Sequence, residues 1–139
     1  MLRVTPNFHF SGRCRQAMEL YRRAFGAEIT ELLTNADADP RDYTALEGEE
    51  CLVYHAEMRI GEQRIMLSDD PGLTLPVENP LSLVVTFETA DEVRNAYEIL
   101  AKDGEILQPL HKTTYSSCAV SLRDRFGMRW ELMTEQTER

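Results

Sequence analysis

Across 139 residues the hydrophobic pattern runs strand, helix, strand, strand, strand, and then the same order again. Each copy of such a plan has one helix stripe and one sheet face to bury. That restricts the chain to an α+β fold with helices on one side of each sheet.

The first copy opens on RVTPNFHF (3–10), which alternates and stops at Ser11-Gly12, as a strand does. Ser11 is the expected helix N-cap. Cys14, Ala17, Met18, Tyr21 and Phe25 then recur at helical spacing, and Gly26 is the expected stop. AEITELL (27–33) reads as a second strand. The acidic stretch 35–50 contains Pro40 and Gly48, has no periodicity, and reads as a long loop or lid. CLVYHAEMRI (51–60) and QRIMLSD (63–69) are strands joined by Gly61-Glu62, a pair suited to a two-residue type II′ turn.

Residues 70–80 hold three of the six prolines and read as a linker. The second copy has strand LSLVVTFE (81–88) and a capping box of Thr89 with Glu92. Its helix has an apolar face of Val93, Ala96, Tyr97 and Leu100 and is expected to end at Gly104. Strands follow at 105–110, 116–124 and 128–134. The chain is expected to be a single domain over 1–139, with module one at about 2–70 and module two at about 81–135.

Period-2 alternation sorts each strand into two faces. Val4, Pro6, Phe8 and Phe10 should face the helix, leaving Thr5, Asn7 and His9 on the other side. His55, Glu57 and Arg59 share that inner face, as do Arg64, Met66 and Ser68. In the second copy Ser82, Val84 and Thr86 point inward with Arg129, Glu131 and Met133. Trp130 and Tyr97 fall on helix-facing positions and are expected in the core. Arg64 and Arg129 hold corresponding places, so two guanidinium groups are available to an anionic ligand; the plainer expectation is ion pairing. His55 suits general-base work by its ordinary pKa, or a hydrogen-bonding wall role. His111 lies in PLHKTTYSS, a loop suited to covering a cavity mouth.

The net charge of −9 gives no basic face for nucleic acid. No apolar run approaches membrane-spanning length. The first residues lack the build of a secretory signal. Cys14, Cys51 and Cys118 are odd in number, form no CxxC, and are expected as buried apolar residues in a reducing cytoplasm. No nucleophile elbow or glycine-rich phosphate loop is present.

The run SG-x-C-x-x-A-x-x-x-Y-x-x-x-F-G-A-E, then HAEMRIGEQRIMLSDD (55–70), then DRFGMRWELM (124–133), resembles the PhnB-like branch of the vicinal oxygen chelate superfamily, the glyoxalase, bleomycin resistance and dioxygenase proteins. The resemblance implies two βαβββ modules whose curved mixed sheets surround a cavity with helices outside, and a homodimer. It also implies a divalent metal held by the first and last strands of each module. Those positions fall at Thr5, Met66, Ser82 and Glu131, and only Glu131 is a competent ligand.

The expected function is therefore binding of a small molecule in a metal-free cavity. Asn7, His9, His55, Glu57, Arg64, Arg129 and Glu131 are the ligand-binding candidates, and Glu131, Glu57 and His55 the catalytic ones. One alternative is a metal-dependent lyase, isomerase or dioxygenase with a divalent ion in a rearranged site of Glu57, Glu131, His55 and His9. That reading competes with simple pairing of Glu57 and Glu131 to Arg59, Arg64 or Arg129. A third is a dimeric interaction module without a ligand.

Overall fold

A computed structural model describes residues 2–73 and 80–135. Contacts divide the chain into two compact units, Met1–Thr74 and Leu75–Arg139. Of the expected 70–80 linker, 74–79 lie outside the described residues.

Unit 1 runs β1 (Asn7–Phe10), α1 (Cys14–Phe25), β2 (Glu28–Thr34), β3 (Val53–Ile60) and β4 (Gln63–Asp69). The sheet order is β1-β4-β3-β2, parallel between β1 and β4 and antiparallel elsewhere. Unit 2 repeats this with β5 (Leu83–Phe87), α2 (Ala90–Leu100), β6 (Glu105–His111), β7 (Ala119–Arg123) and β8 (Arg129–Thr134), in the order β5-β8-β7-β6. The fold is α+β, with two four-stranded mixed sheets and one helix on each.

In unit 1, α1 packs across β2, β3 and β4. Cys14, Ala17, Met18 and Tyr21 meet a sheet face carrying Phe8, Phe10, Ala56, Met58, Ile65 and Leu67, all buried. Burying each large side chain contributes roughly 1.5–3 kcal/mol. Gly26 closes the helix at φ 66°, a left-handed conformation that costs glycine little. Gly61 turns the β3–β4 hairpin at φ 59°, while Glu62 keeps a negative φ, as a type II′ turn requires.

In unit 1 several local expectations are corrected. The first strand begins at Asn7 rather than at residue 3: Pro6 has no N–H to give a ladder, and Val4 is 88% exposed instead of facing α1. Ser11 does not cap α1. The N-cap position is Arg13, and the Cys14 N–H is satisfied from β4 by Asp69 Oδ1 at 2.9 Å. The other oxygen of Asp69 accepts from the Val53 N–H at the start of β3, also at 2.9 Å. Cys51 is exposed, in the turn before β3, whereas Cys14 and Cys118 are buried.

In unit 2, α2 packs on β5 and β8. Thr89 accepts from the Glu92 N–H at 3.2 Å and its hydroxyl donates to the Glu92 carboxylate at 3.0 Å. Trp130 is fully buried, and its indole N–H donates to buried Asp124 at 2.9 Å. Tyr97 is only half-buried. The residue that leaves the helix with positive φ is Asp103 (φ 61°), not Gly104. Gly104 is required for another reason: a Cβ there would stand 2.5 Å from the Arg123 carbonyl oxygen.

The 35–50 segment begins with a short 3-10 turn at Asn35–Asp37. Its neck is pinned where the Asn35 side chain donates to the Glu49 carbonyl, at 2.9 Å, and the Asn35 N–H to the Leu52 carbonyl, at 2.9 Å. Tyr43 stacks on Tyr54 of β3 with ring centroids 6.0 Å apart.

Candidate functional site

Each sheet has one face against its helix and one face free of it. In unit 2 the free face carries a pocket of about 140 Å³. The ladder places Gln108 of β6, Ser121 of β7, Glu131 of β8 and Val84 of β5 in one row. His111, Ala119 and Met133 form the next row. Tyr115 completes the wall.

Glu131 Oε2 accepts from the Ser82 hydroxyl at 2.5 Å. No ion pair to Glu131 is present among the described residues. Beside it the Ser121 hydroxyl is buried with no hydrogen-bond partner among the described residues, and two residues before Glu131 the Arg129 Nε is in the same condition. Buried polar atoms are nearly always satisfied, so an orphan hydroxyl on a pocket wall marks a place where something else bonds. His111 lies in β6, not in a loop as expected. Its Nδ1 donates to the Pro109 carbonyl at 2.6 Å, leaving Nε2 to accept when the ring is neutral.

In unit 1 the free face is more polar. Glu57 is registered with Met66 of β4 on one side and Glu31 of β2 on the other. Glu57 Oε1 accepts from Arg64 Nε at 2.5 Å, and Oε2 lies 2.8 Å from His55 Nε2. The hydrogen bond from Arg64, and then that from His55, pulls the Glu57 carboxyl down to a pKa of about 2. Glu31, His55 and Glu57 each present a ligand atom, all within 4.8 Å of one another. His9 shares a register position with Ser68 and does not join this cluster. Asn7 is registered with Met66. Arg59 faces Arg64 across the hairpin, and a cleft of about 460 Å³ beside them is lined also by Arg3, Thr5 and Gln63. Arg123 faces Arg129 at the equivalent place in unit 2, so the correspondence of Arg64 with Arg129 holds in the topology.

The candidates named from the sequence thus divide into Asn7, His9, His55, Glu57 and Arg64 in unit 1, and Arg129 and Glu131 in unit 2. Pairing to arginine describes Glu57; Glu131 bonds a serine instead. Sequence reasoning missed Glu31, Ser121 and Gln108. Ser121 was recoverable from alternation about Glu131's neighbours, whereas β6 shifts register on both sides of Gln108. Glu31 was not, because β2 changes register between Ile29 and Glu31.

The superfamily's metal positions do not fit a divalent ion here. Thr5 lies outside β1, Met66 offers a thioether, and Ser82 spends its hydroxyl on Glu131. One carboxylate among four positions does not make a catalytic divalent site.

Comparison with known proteins agrees with this architecture. The PhnB protein of Bacillus cereus has a solved structure that superposes with a TM-score of 0.79 at 30% identity, covering 96% of this chain and 99% of that one. A crystal structure from Pseudomonas aeruginosa superposes at 0.84 with 24% identity, covering 97% and 98%, a likeness of fold. Protein YjdN of Escherichia coli K12 is 25% identical over 91% of each chain. The family model described as Glyoxalase/Bleomycin resistance protein/Dioxygenase superfamily matches residues 9–132. With that span matched, the chain belongs to the glyoxalase/bleomycin resistance/dioxygenase superfamily, in its PhnB-like branch.

Proposed function

We propose that this protein binds a small molecule in the unit 2 pocket, with no metal at the superfamily's four positions. The observation that carries this is the buried, unpartnered Ser121 hydroxyl beside Glu131. Ligand sites are concave and mostly apolar, with a few polar groups that fix orientation. Here Val84, Ala119, Met133 and Tyr115 supply apolar wall, and Glu131, Ser121, Gln108 and His111 supply the polar groups. Glu131 wants a donor, so the ligand carries a hydroxyl or amine next to an apolar part. A pocket of about 140 Å³ takes a small ligand, or one end of a larger one.

A fragment library of small alcohols and amines, screened by protein-observed NMR, tests this. Shifts should cluster on Val84, Ala119, Ser121 and Met133 and vanish in Glu131→Ala. Binding that ignores Glu131→Ala, or none at all, would overturn the reading. The same reading takes the working form to be a homodimer. No described helix is long and apolar enough to cross a membrane.

A further inference from the structure

We propose that unit 1 binds a divalent first-row transition-metal ion between Glu31, His55 and Glu57, on β2 and β3 rather than on the first and last strands.

The donor atoms are already gathered within 4.8 Å on one antiparallel pair. Atoms on opposite sides of an ion with bonds of about 2.1 Å stand up to about 4.2 Å apart. Only a small closing movement is needed, and Glu31, the exposed member, supplies it. The His55 Nε2 and Glu57 Oε2 atoms, 2.8 Å apart, would give up their shared hydrogen and part to about 3.4 Å around a tetrahedral ion.

The charge arrangement also calls for a cation. Glu31 and Glu57 sit directly opposite each other, and facing like charges destabilise a sheet. Arg64 feels both carboxylates, and its hydrogen bond goes to Glu57. Glu31 has no ion pair among the described residues. The register shift just before Glu31 aims its side chain onto the face where Glu57 lies, the kind of re-aiming that bulges provide next to sites. Arg64 bonds Glu57 Oε1, the oxygen not facing His55, and so would hold the carboxylate in place as an outer-shell partner. One imidazole and two carboxylates suit Zn²⁺, Co²⁺ or Mn²⁺ over soft ions. Three protein donors leave coordination positions for water or a ligand oxygen.

The test is titration of chelator-stripped, full-length protein with Co²⁺ followed by visible absorption, then competition with Zn²⁺. One equivalent should bind, and the His55 ring ¹⁵N resonance should shift on adding Zn²⁺. Glu31→Gln, at an exposed strand position, should fold normally and weaken binding at least about tenfold, the typical loss for even a supporting partner. His55→Gln should do the same, and Glu28→Gln, on the same strand, should change nothing. Absence of saturable binding, binding that leaves His55 unshifted, or equal affinity in Glu31→Gln would each overturn the proposal.

Discussion

Glu57 stands directly across the β3–β4 ladder from Met66, both on the face turned away from α1. At the equivalent place in unit 2 the carboxylate, Glu131, is on β8, and Ser121 faces it from β7. Each hairpin therefore offers one carboxylate at the same height, from opposite strands. The surroundings then separate them. Glu57 is held by a guanidinium and an imidazole, and Glu131 by a hydroxyl beside an unsatisfied one.

Ser121→Ala should make the ligand-free protein more stable. The hydroxyl is buried without a partner, a condition that costs about 1–3 kcal/mol. Urea denaturation should show a gain of about 1 kcal/mol, and the same variant should bind pocket ligands more weakly. A loss of stability in the ligand-free form would mean that the hydroxyl is satisfied there.

The Glu57 pairing sets a pH dependence. Its folded pKa is depressed to about 2, chiefly by Arg64, below the ordinary carboxylate value of the unfolded chain. The stabilisation is therefore fully present above about pH 4.5 and is lost as pH falls through the folded value. In chelated buffer, Glu57→Gln should flatten the stability curve between pH 4.5 and 2. Carboxyl NMR should show the Glu57 pKa rising in Arg64→Ala.

Thiol chemistry should distinguish the cysteines. Burial, and then Asp69, pushes the Cys14 thiol up to about 12, so almost no thiolate forms at neutral pH. Cys118 is buried and Cys51 exposed. A maleimide should label Cys51 in the folded protein and reach the other two only in denaturant, as peptide mass spectrometry would show.

Asp103 and Gly104 should respond in opposite directions. Gly104→Ala forces a Cβ against the Arg123 carbonyl and should cost about 1–3 kcal/mol. Asp103→Gly relieves a positive φ and should be neutral or stabilising by up to about 1 kcal/mol. Thermal melts of the two variants decide this.

The duplicated plan was legible because both copies carry full apolar periods. β4 was bounded at Gln63 and Asp69, and Gly61-Glu62 identified its turn. The faces of β3 and β4 followed from alternation, and the two-residue turn between them sets Glu57 opposite Met66. What escaped depended on partners remote in sequence. Ser11 looked like the cap of α1, but the cap comes from Asp69. Gly104 looked like a helix stop, yet its constraint is a carbonyl on the next hairpin. Glu31 lay beyond reach because a register shift breaks the two-residue period on which face assignment rests.

The Asp69 carboxylate spans two elements. With one oxygen on the first amide of α1 and the other on the first amide of β3, it makes two ends of the chain share one anchor. Fraying of the helix start is then tied to fraying of the strand start, so the Cys14 and Val53 amides should exchange with solvent in step. The 35–50 loop leads directly into that strand. A chain excursion that tugs on Asp69 would thus be felt at once by the helix on one face of the sheet and by the row containing His55 and Glu57 on the other.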